Sequence, residues 1–144
     1  AAMLALGRAR VAAAGLDARV ALHQAVLPQD ALPGAAYEVI LSNSLLHHLH
    51  DPQVLWRALR VAAAPGAFVY VTDLRRPADE ATLRRLVEAH SAPEPAVLRR
   101  DFEASLGAAF TVAEVQRQLA AAGLAMLSVT ALTDRHLAVA GHLG

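Results

Sequence analysis

Cysteine and lysine are both absent from the 144 residues of this chain. Without cysteine there is no disulfide, no thiolate nucleophile and no cysteine-ligated metal. Without lysine the chain lacks the amine for Schiff-base chemistry and the lysine of a phosphate-binding P-loop. Charged residues make up only 18% of the chain and the formal net charge is zero. A nucleic-acid-binding surface needs a clustered basic face, so we expect no nucleic-acid partner.

Hydrophobic residues are abundant by contrast, at 56% of the chain, which is enough for a folded core. The longest apolar runs are too short to cross a membrane and no signal peptide is visible, so we expect no membrane partner and a cytoplasmic location. The alanine- and arginine-rich composition is typical of a bacterial protein from a GC-rich genome. The chain opens on Ala1 within a helix-like segment, from which we expect a truncated N-terminus.

Hydrophobic periodicity and turn residues predict helices and strands within a single domain, residues 1–144. The predicted helices are Ala2–Ala14, a segment that follows Asp51–Pro52 and ends before Pro65, Asp79–His90, Val97–Leu106, and one opened by a Thr111–Glu114 capping box. The predicted strands are Val20–Val26, Tyr37–Ser42, Ala67–Thr72, Leu124–Leu132 and His136–Ala140. This order predicts an α/β fold with a Rossmann-like, mostly parallel sheet. The three-residue turn before the last strand predicts a C-terminal antiparallel hairpin.

Two polar stretches follow predicted buried strands. Ser42–Asp51 comes after the first of these strands, and Asp73–Pro77 comes after the second. Ligands of open α/β sheets bind beyond the carboxyl ends of the strands, so these stretches are the candidate binding site.

The segment from Tyr37 to Asp73 has a characteristic order. An apolar strand ends in a small polar residue and is followed by a short loop with a His-Leu pair, Asp51–Pro52, a helix, a Pro65–Gly66 turn and a second apolar strand. In this order the chain resembles the class I S-adenosylmethionine-dependent methyltransferases of the small-molecule type, over essentially its whole length. The resemblance implies S-adenosylmethionine as the cofactor and methyl transfer to a small-molecule substrate as the reaction.

The resemblance also implies where the cofactor binds. It assigns six residues to the cofactor: Ser42, Asn43, Ser44, His48, Val26 and Leu27. Val26 stands where the family often has an aspartate that accepts the adenine amino group, so Asp30 or a backbone carbonyl would have to replace that contact. The family's glycine-rich loop and ribose-binding acid would lie before Ala1. We therefore expect that the first two strands are missing and that this C-terminal fragment is inactive alone.

Each candidate residue has a second interpretation. Ser42 and Asn43 are also residue types that cap turns. His47 is a candidate general base, since imidazole titrates near neutrality, but a histidine here also fits a packing role. His47 with its neighbouring histidines and Asp51 is a weak alternative metal cluster, and we predict no metal. Asp73 and Arg75 are candidates for substrate contact or for a solvated ion pair.

Three functions fit the pattern to different degrees. The first is the methyltransferase, and the second is a non-catalytic methyltransferase-like partner subunit. The third, a nicotinamide-dependent oxidoreductase, is disfavoured because a Tyr-x-x-x-Lys pair cannot exist without lysine and no Gly-x-Gly-x-x-Gly loop is present.

If the family's first two strands are missing, Tyr37–Ser42 becomes a sheet edge. That edge would close onto Val20–Val26 or pair with a second copy in a dimer.

Overall fold

The computed structural model describes residues 2–30, 32–34 and 36–144. The chain divides into two compact units, Ala1–Pro33 and Gly34–Gly144. The larger unit contains every strand of the described residues and both candidate stretches, Ser42–Asp51 and Asp73–Pro77.

The smaller unit consists of one helix and an irregular segment. Helix α1 spans Ala2–Ala13 and is followed by Gly15, whose φ of 64° is typical of a glycine that ends a helix. The helix therefore agrees with its prediction to within one residue.

The predicted strand Val20–Val26 is wrong, because these residues form turns and extended coil without a strand partner. Some of their backbone groups form hydrogen bonds within the smaller unit instead. Arg8 Nη2 donates to the Leu22 carbonyl at 3.1 Å. Val26 donates its N–H to the Asp30 carboxylate at 2.7 Å and accepts from the Asp30 N–H at 2.8 Å. A strand needs a neighbouring strand for its hydrogen bonds, and Val20–Val26 has none among the described residues.

The larger unit alternates strands and helices. Its strands are β1 (Tyr37–Asn43), β2 (Ala63–Leu74), β3 (Ser128–Ala131) and β4 (His136–His142). Its helices are α2 (Gln53–Ala62), α3 (Glu80–Ser91), α4 (Ala96–Ala108) and α5 (Val112–Ala121), with a 3-10 turn at Leu46–His48. Of the helices described, none is long and apolar enough to cross a membrane.

Strand β3 is shorter than predicted, because the chain turns before it reaches the sheet. The Leu124 N–H donates back to the Leu119 carbonyl at 2.8 Å, and the Leu127 N–H donates to the Leu124 carbonyl at 3.0 Å. These bonds place residues 124–127 in the turns that follow α5 rather than in a strand. Strand β2, by contrast, begins at Ala63 instead of the predicted Ala67, since it follows α2 without a loop.

The four strands form one sheet in the order β1-β2-β4-β3. Strand β1 pairs with β2 in parallel through the α2 crossover, while β4 is antiparallel to both β2 and β3. The α/β class and the closing antiparallel hairpin are confirmed. Among the described residues β1 has a partner on one side only, so it is an edge strand, as expected for Tyr37–Ser42.

One face of the sheet is covered by α2 and α5, and this interface is the main core. Val69 and Val71 project from β2 onto it and are fully buried. Trp56 of α2 is also fully buried, and its indole N–H donates to the Gln118 side chain at 3.1 Å. The polar end of the tryptophan is therefore satisfied inside the core, as buried indoles require.

A smaller apolar cluster joins α3 to α4. Leu86 and Val87 of α3 pack with Leu106 of α4, and Leu74 at the end of β2 packs against this cluster. Helix α4 also contacts the 3-10 turn. The α3–α4 pair therefore lies at the carboxyl end of β2, beside the candidate site.

Helix α5 begins with the predicted capping box. The Glu114 N–H donates to Thr111 Oγ1 at 3.3 Å, and the Thr111 N–H donates to the Glu114 carboxylate at 2.8 Å. The same carboxylate pairs with Arg76 in the loop after β2. The Thr111 N–H above all, with the Arg76 guanidinium, holds the pKa of Glu114 below its ordinary 4.5.

Replacing Glu114 by glutamine should give a pH-dependent loss of stability. Because the pKa of Glu114 is lowered by folding, its charge stabilises the fold above pH 4.5, and that contribution is lost as the pH falls through the lowered value. Glutamine keeps the capping geometry but not the charge. For this partly exposed group we expect a difference of less than about 1 kcal/mol in unfolding free energy at pH 7.

Urea denaturation of both proteins from pH 7 to pH 3 measures this difference. Glu103→Gln is the matched control, since Glu103 is exposed on α4 and its carboxylate forms no hydrogen bond with another described residue. A difference for Glu114→Gln that stays constant down to pH 3 would contradict the charge contribution.

Candidate active site

The chain leaves the sheet abruptly at the end of β1. Asn43 is the last residue of β1 and lies opposite Thr72 of β2. Ser44 then takes a left-handed conformation with φ of 53°, and its N–H donates to the Thr72 carbonyl at 3.0 Å. A non-glycine residue with positive φ is uncommon and is held here by the surrounding hydrogen bonds. The following loop therefore starts at the carboxyl edge of the parallel pair.

The three polar residues at this edge differ in their accessibility. Ser42 Oγ is buried and has no hydrogen-bond partner among residues 2–30, 32–34 and 36–144. Asn43 is exposed, and its side-chain oxygen accepts from the Thr72 hydroxyl at 2.7 Å, which leaves the amide N–H groups available. Ser44 is also exposed. The structure thus brings the predicted residues together, but only Asn43 and Ser44 present their side chains to solvent.

A buried carboxylate at the end of β2 organises the loop after β1. Asp73 has a side chain that is only 1% exposed. One of its oxygens accepts from the Leu46 N–H at 2.7 Å. The other accepts from the Leu74 N–H at 2.8 Å and lies 2.5 Å from His47 Nδ1. Three N–H donors match a carboxylate, which can only accept. Asp73 was predicted as a substrate residue, and the structure gives it His47 as its side-chain partner.

The sequence placed His47 and Asp73 in separate candidate stretches and did not predict that they meet. They are 26 positions apart, and each follows one of two adjacent parallel strands. The parallel register itself was the usable signal, because the carboxyl ends of neighbouring parallel strands lie side by side.

The other polar residues of the loop are arranged differently. His48 is exposed, and its ring lies beside that of His47 with centroids 4.0 Å apart. Asp51 pairs with Arg57 at 2.9 Å and accepts from the Gln53 N–H at 2.9 Å. The Arg57 contact first, and then the Gln53 N–H, lowers the pKa of this exposed carboxyl. Within the part of the chain that is described, no group of three or more His, Asp or Glu residues is arranged to hold a metal ion.

Arg75 and its neighbours fix the C-terminal hairpin. Arg75 Nη2 donates to the carbonyls of Thr133 and Asp134 at 3.1 and 2.9 Å, in the turn between β3 and β4. The Asp134 carboxylate lies 3.0 Å from His90 Nε2 at the end of α3. The contact with His90 is the main reason that the pKa of Asp134 is lowered. Arg75 therefore ties β2 to the hairpin, and a substrate role for it stays a prediction.

The remaining predicted cofactor residues, Val26 and Leu27, belong to the smaller unit. Val26 is bonded to Asp30 through both its N–H and its carbonyl, so the Asp30 carboxylate already has a backbone partner. The assignment of these residues to the cofactor stays a prediction.

Comparison with known proteins identifies the family. The sequence model of a family described as a methyltransferase domain matches residues 3–129, which is most of the chain. No curated protein matches the chain.

Several solved structures share the fold. A SAM-dependent methyltransferase from Aquifex aeolicus superimposes with a TM-score of 0.60 at 17% identity, over 94% of this chain and 60% of its own. A possible exported protein from Bordetella parapertussis gives 0.62 at 23% identity, over 93% and 48%. An O-methyltransferase family protein from Burkholderia thailandensis gives 0.60 at 19% identity, over 95% and 40%.

At these identities the likeness shows the fold alone, and this chain spans 60% or less of the length of each of the three chains. The family match rests on the sequence itself and covers both candidate stretches. The chain belongs to the methyltransferase-domain family.

Proposed function

We propose that this chain takes part in S-adenosylmethionine-dependent methyl transfer to a small molecule, as the C-terminal part of the full enzyme. The observation that carries the proposal is the placement of Asn43, Ser44 and the His47–Asp73 pair at one edge of a parallel strand pair, within a methyltransferase-family chain. The SAM-dependent methyltransferase from Aquifex aeolicus, which shares the fold, supports the choice of cofactor.

The described residues fit one end of this cofactor. The free amide N–H groups of Asn43 and the hydroxyl of Ser44 suit the carboxylate of its methionine moiety, because both are exposed donors at the strand end. Ser42 fits less well through its side chain, since its hydroxyl is buried. The ribose hydroxyls call for an acidic acceptor, and Asp73 is already occupied by three N–H donors.

A second function is favoured by the exposed edge of the sheet. Val39 and Leu41 of β1 are 57% and 69% exposed, and β1 has no second strand partner among the described residues. Such an apolar edge suits a neighbouring strand. A non-catalytic partner subunit, or a dimer formed through β1, would cover it. Absence of methyl transfer by the full gene product, together with a stable complex through β1, would favour this alternative.

Methyl transfer itself is tested on the full gene product that carries these residues. Labelled S-adenosylmethionine and a panel of small hydroxyl, amine and thiol acceptors should yield labelled product together with S-adenosylhomocysteine. No transfer to any acceptor would contradict the proposed function.

Asn43→Ala should weaken cofactor binding in the same protein. A hydrogen bond to a charged group contributes about 1.5–3 kcal/mol, so the dissociation constant for S-adenosylmethionine should rise about tenfold or more. Gln116→Ala is the matched control, because it removes an exposed amide from α5. Equal affinities for Asn43→Ala and the control would remove Asn43 from the site.

The 144-residue chain alone should bind S-adenosylmethionine weakly or not at all. Its glycines include none in a Gly-x-Gly loop, and each missing hydrogen bond to the ribose would itself contribute about 1.5–3 kcal/mol if the acceptor were charged. Isothermal titration calorimetry measures the affinity. Saturable binding in the micromolar range would show that the described residues form a complete cofactor site.

A further inference from the structure

Arg75 carries a positive charge that no carboxylate of the described residues balances. Its Nη2 donates to the carbonyls of Thr133 and Asp134, which are neutral groups. Its Nε is buried without a hydrogen-bond partner from the described part of the chain, and its Nη1 forms no hydrogen bond there either. A guanidinium stays ionised in a protein, so withdrawing it from water without a counter-ion is costly.

The acids nearest to Arg75 are engaged by other groups. The Asp134 carboxylate lies 3.0 Å from Arg135 Nη1 and 3.0 Å from His90 Nε2. The Asp73 carboxylate already accepts from three N–H donors. One unit of positive charge after β2 is therefore left for a group that is not one of the described residues.

Arg75 lies at the same edge of the sheet as the candidate cofactor residues. Asp73 and Arg75 are two positions apart in an extended segment, so their side chains leave the backbone on the same side. Asp73 contacts His47 in the segment that follows β1. The Arg75 N–H donates to the Arg135 carbonyl at 2.8 Å, which places the turn between β3 and β4 at this edge as well. A small molecule bound at the carboxyl ends of β1 and β2 would therefore lie beside Arg75.

We propose that the methyl acceptor carries a carboxylate group and that Arg75 binds it as a specificity-determining residue. This inference rests on the proposed methyltransferase function. A single guanidinium without a counter-ion matches a single negative charge, and Nη1 can donate a charge-assisted hydrogen bond to one carboxylate oxygen. A phosphate monoester carries a charge of about −1.5 to −2 and three acceptor oxygens, which one free nitrogen does not match.

The substrate selectivity of the full gene product tests the proposal. Acids that carry a hydroxyl, amine or thiol are each compared with their primary amide, which has nearly the same size and no charge. The wild type should prefer the acid by about tenfold or more in kcat/KM, as expected for one hydrogen bond between charged groups. Equal values for each acid and its amide would overturn the proposal, and so would a preference for the amide or for the corresponding phosphate monoester.

Arg75→Gln should remove this selectivity without a general loss of activity. Glutamine can still donate to a carbonyl of the turn but has no charge, so kcat/KM should fall about tenfold or more for the acids and stay within about threefold for the amides. Arg75→Lys keeps the charge and should keep a preference for acids. Arg117→Gln is the matched control, because it removes an exposed guanidinium from α5. Equal losses for acids and amides would show that Arg75 only holds the hairpin, which would overturn the proposal.

A binding measurement on the wild-type protein needs no methyl transfer. Because Arg75 Nε is buried, its N–H should exchange slowly with water and give an NMR resonance. Benzoate should shift this resonance saturably, whereas benzamide at the same concentration should not. A resonance that neither probe shifts, or that both shift equally, would overturn the carboxylate site even if Arg75→Gln fails to fold.

The outcomes separate this inference from the proposed function. Methyl transfer without a preference for acids overturns the role of Arg75 and leaves methyl transfer intact. No transfer to any acceptor overturns the proposed function, and the carboxylate site at Arg75 is then decided by the benzoate measurement alone.

Discussion

The carboxylate of Asp73 is the constraint around which the candidate site is built. It lies at the end of β2 with 1% of its side chain exposed, which would be costly for an unpaired charge. The cost is offset by the Leu46 and Leu74 N–H groups and by His47. Two of these donors, Leu46 and His47, belong to the segment after β1. The Asp73 carboxylate therefore links the segments that follow the two parallel strands. The position of His47 depends on these bonds to Asp73 and not only on the sequence of its own loop.

The residues that follow Asp73 connect it to further elements of the larger unit. Leu74, directly after Asp73, packs against the cluster formed by α3 and α4, and α4 in turn contacts the 3-10 turn that carries His47. Arg75 ties the next position to the turn between β3 and β4. Residues 73–75 thus connect the loop after β1, the α3–α4 pair and the C-terminal hairpin.

The larger unit could be predicted well from the sequence, because its signals were local and agreed with one another. The capping box opened α5, and the apolar runs of β1 and β2 formed a parallel strand pair with a crossover helix between them. Only β2 is buried as predicted, because β1 lies at the edge of the sheet with Val39 and Leu41 exposed. The strand predicted at Val20–Val26 was wrong, because an apolar segment forms a strand only where a neighbouring strand supplies hydrogen bonds. The candidate residues Ser42, Asn43 and His48 lie at or just after the carboxyl end of β1, and their assignment to the cofactor stays a prediction. The His47–Asp73 contact was not predicted, since it depends on the register between β1 and β2 and on burial of a carboxylate.

A crystal structure of the protein at neutral pH tests the central claim most directly. The account predicts that the Asp73 carboxylate lies within hydrogen-bond distance, below about 3.2 Å, of both the Leu46 nitrogen and His47 Nδ1 and is shielded from solvent. An Asp73 side chain that points into water, with His47 bonded elsewhere, would contradict it.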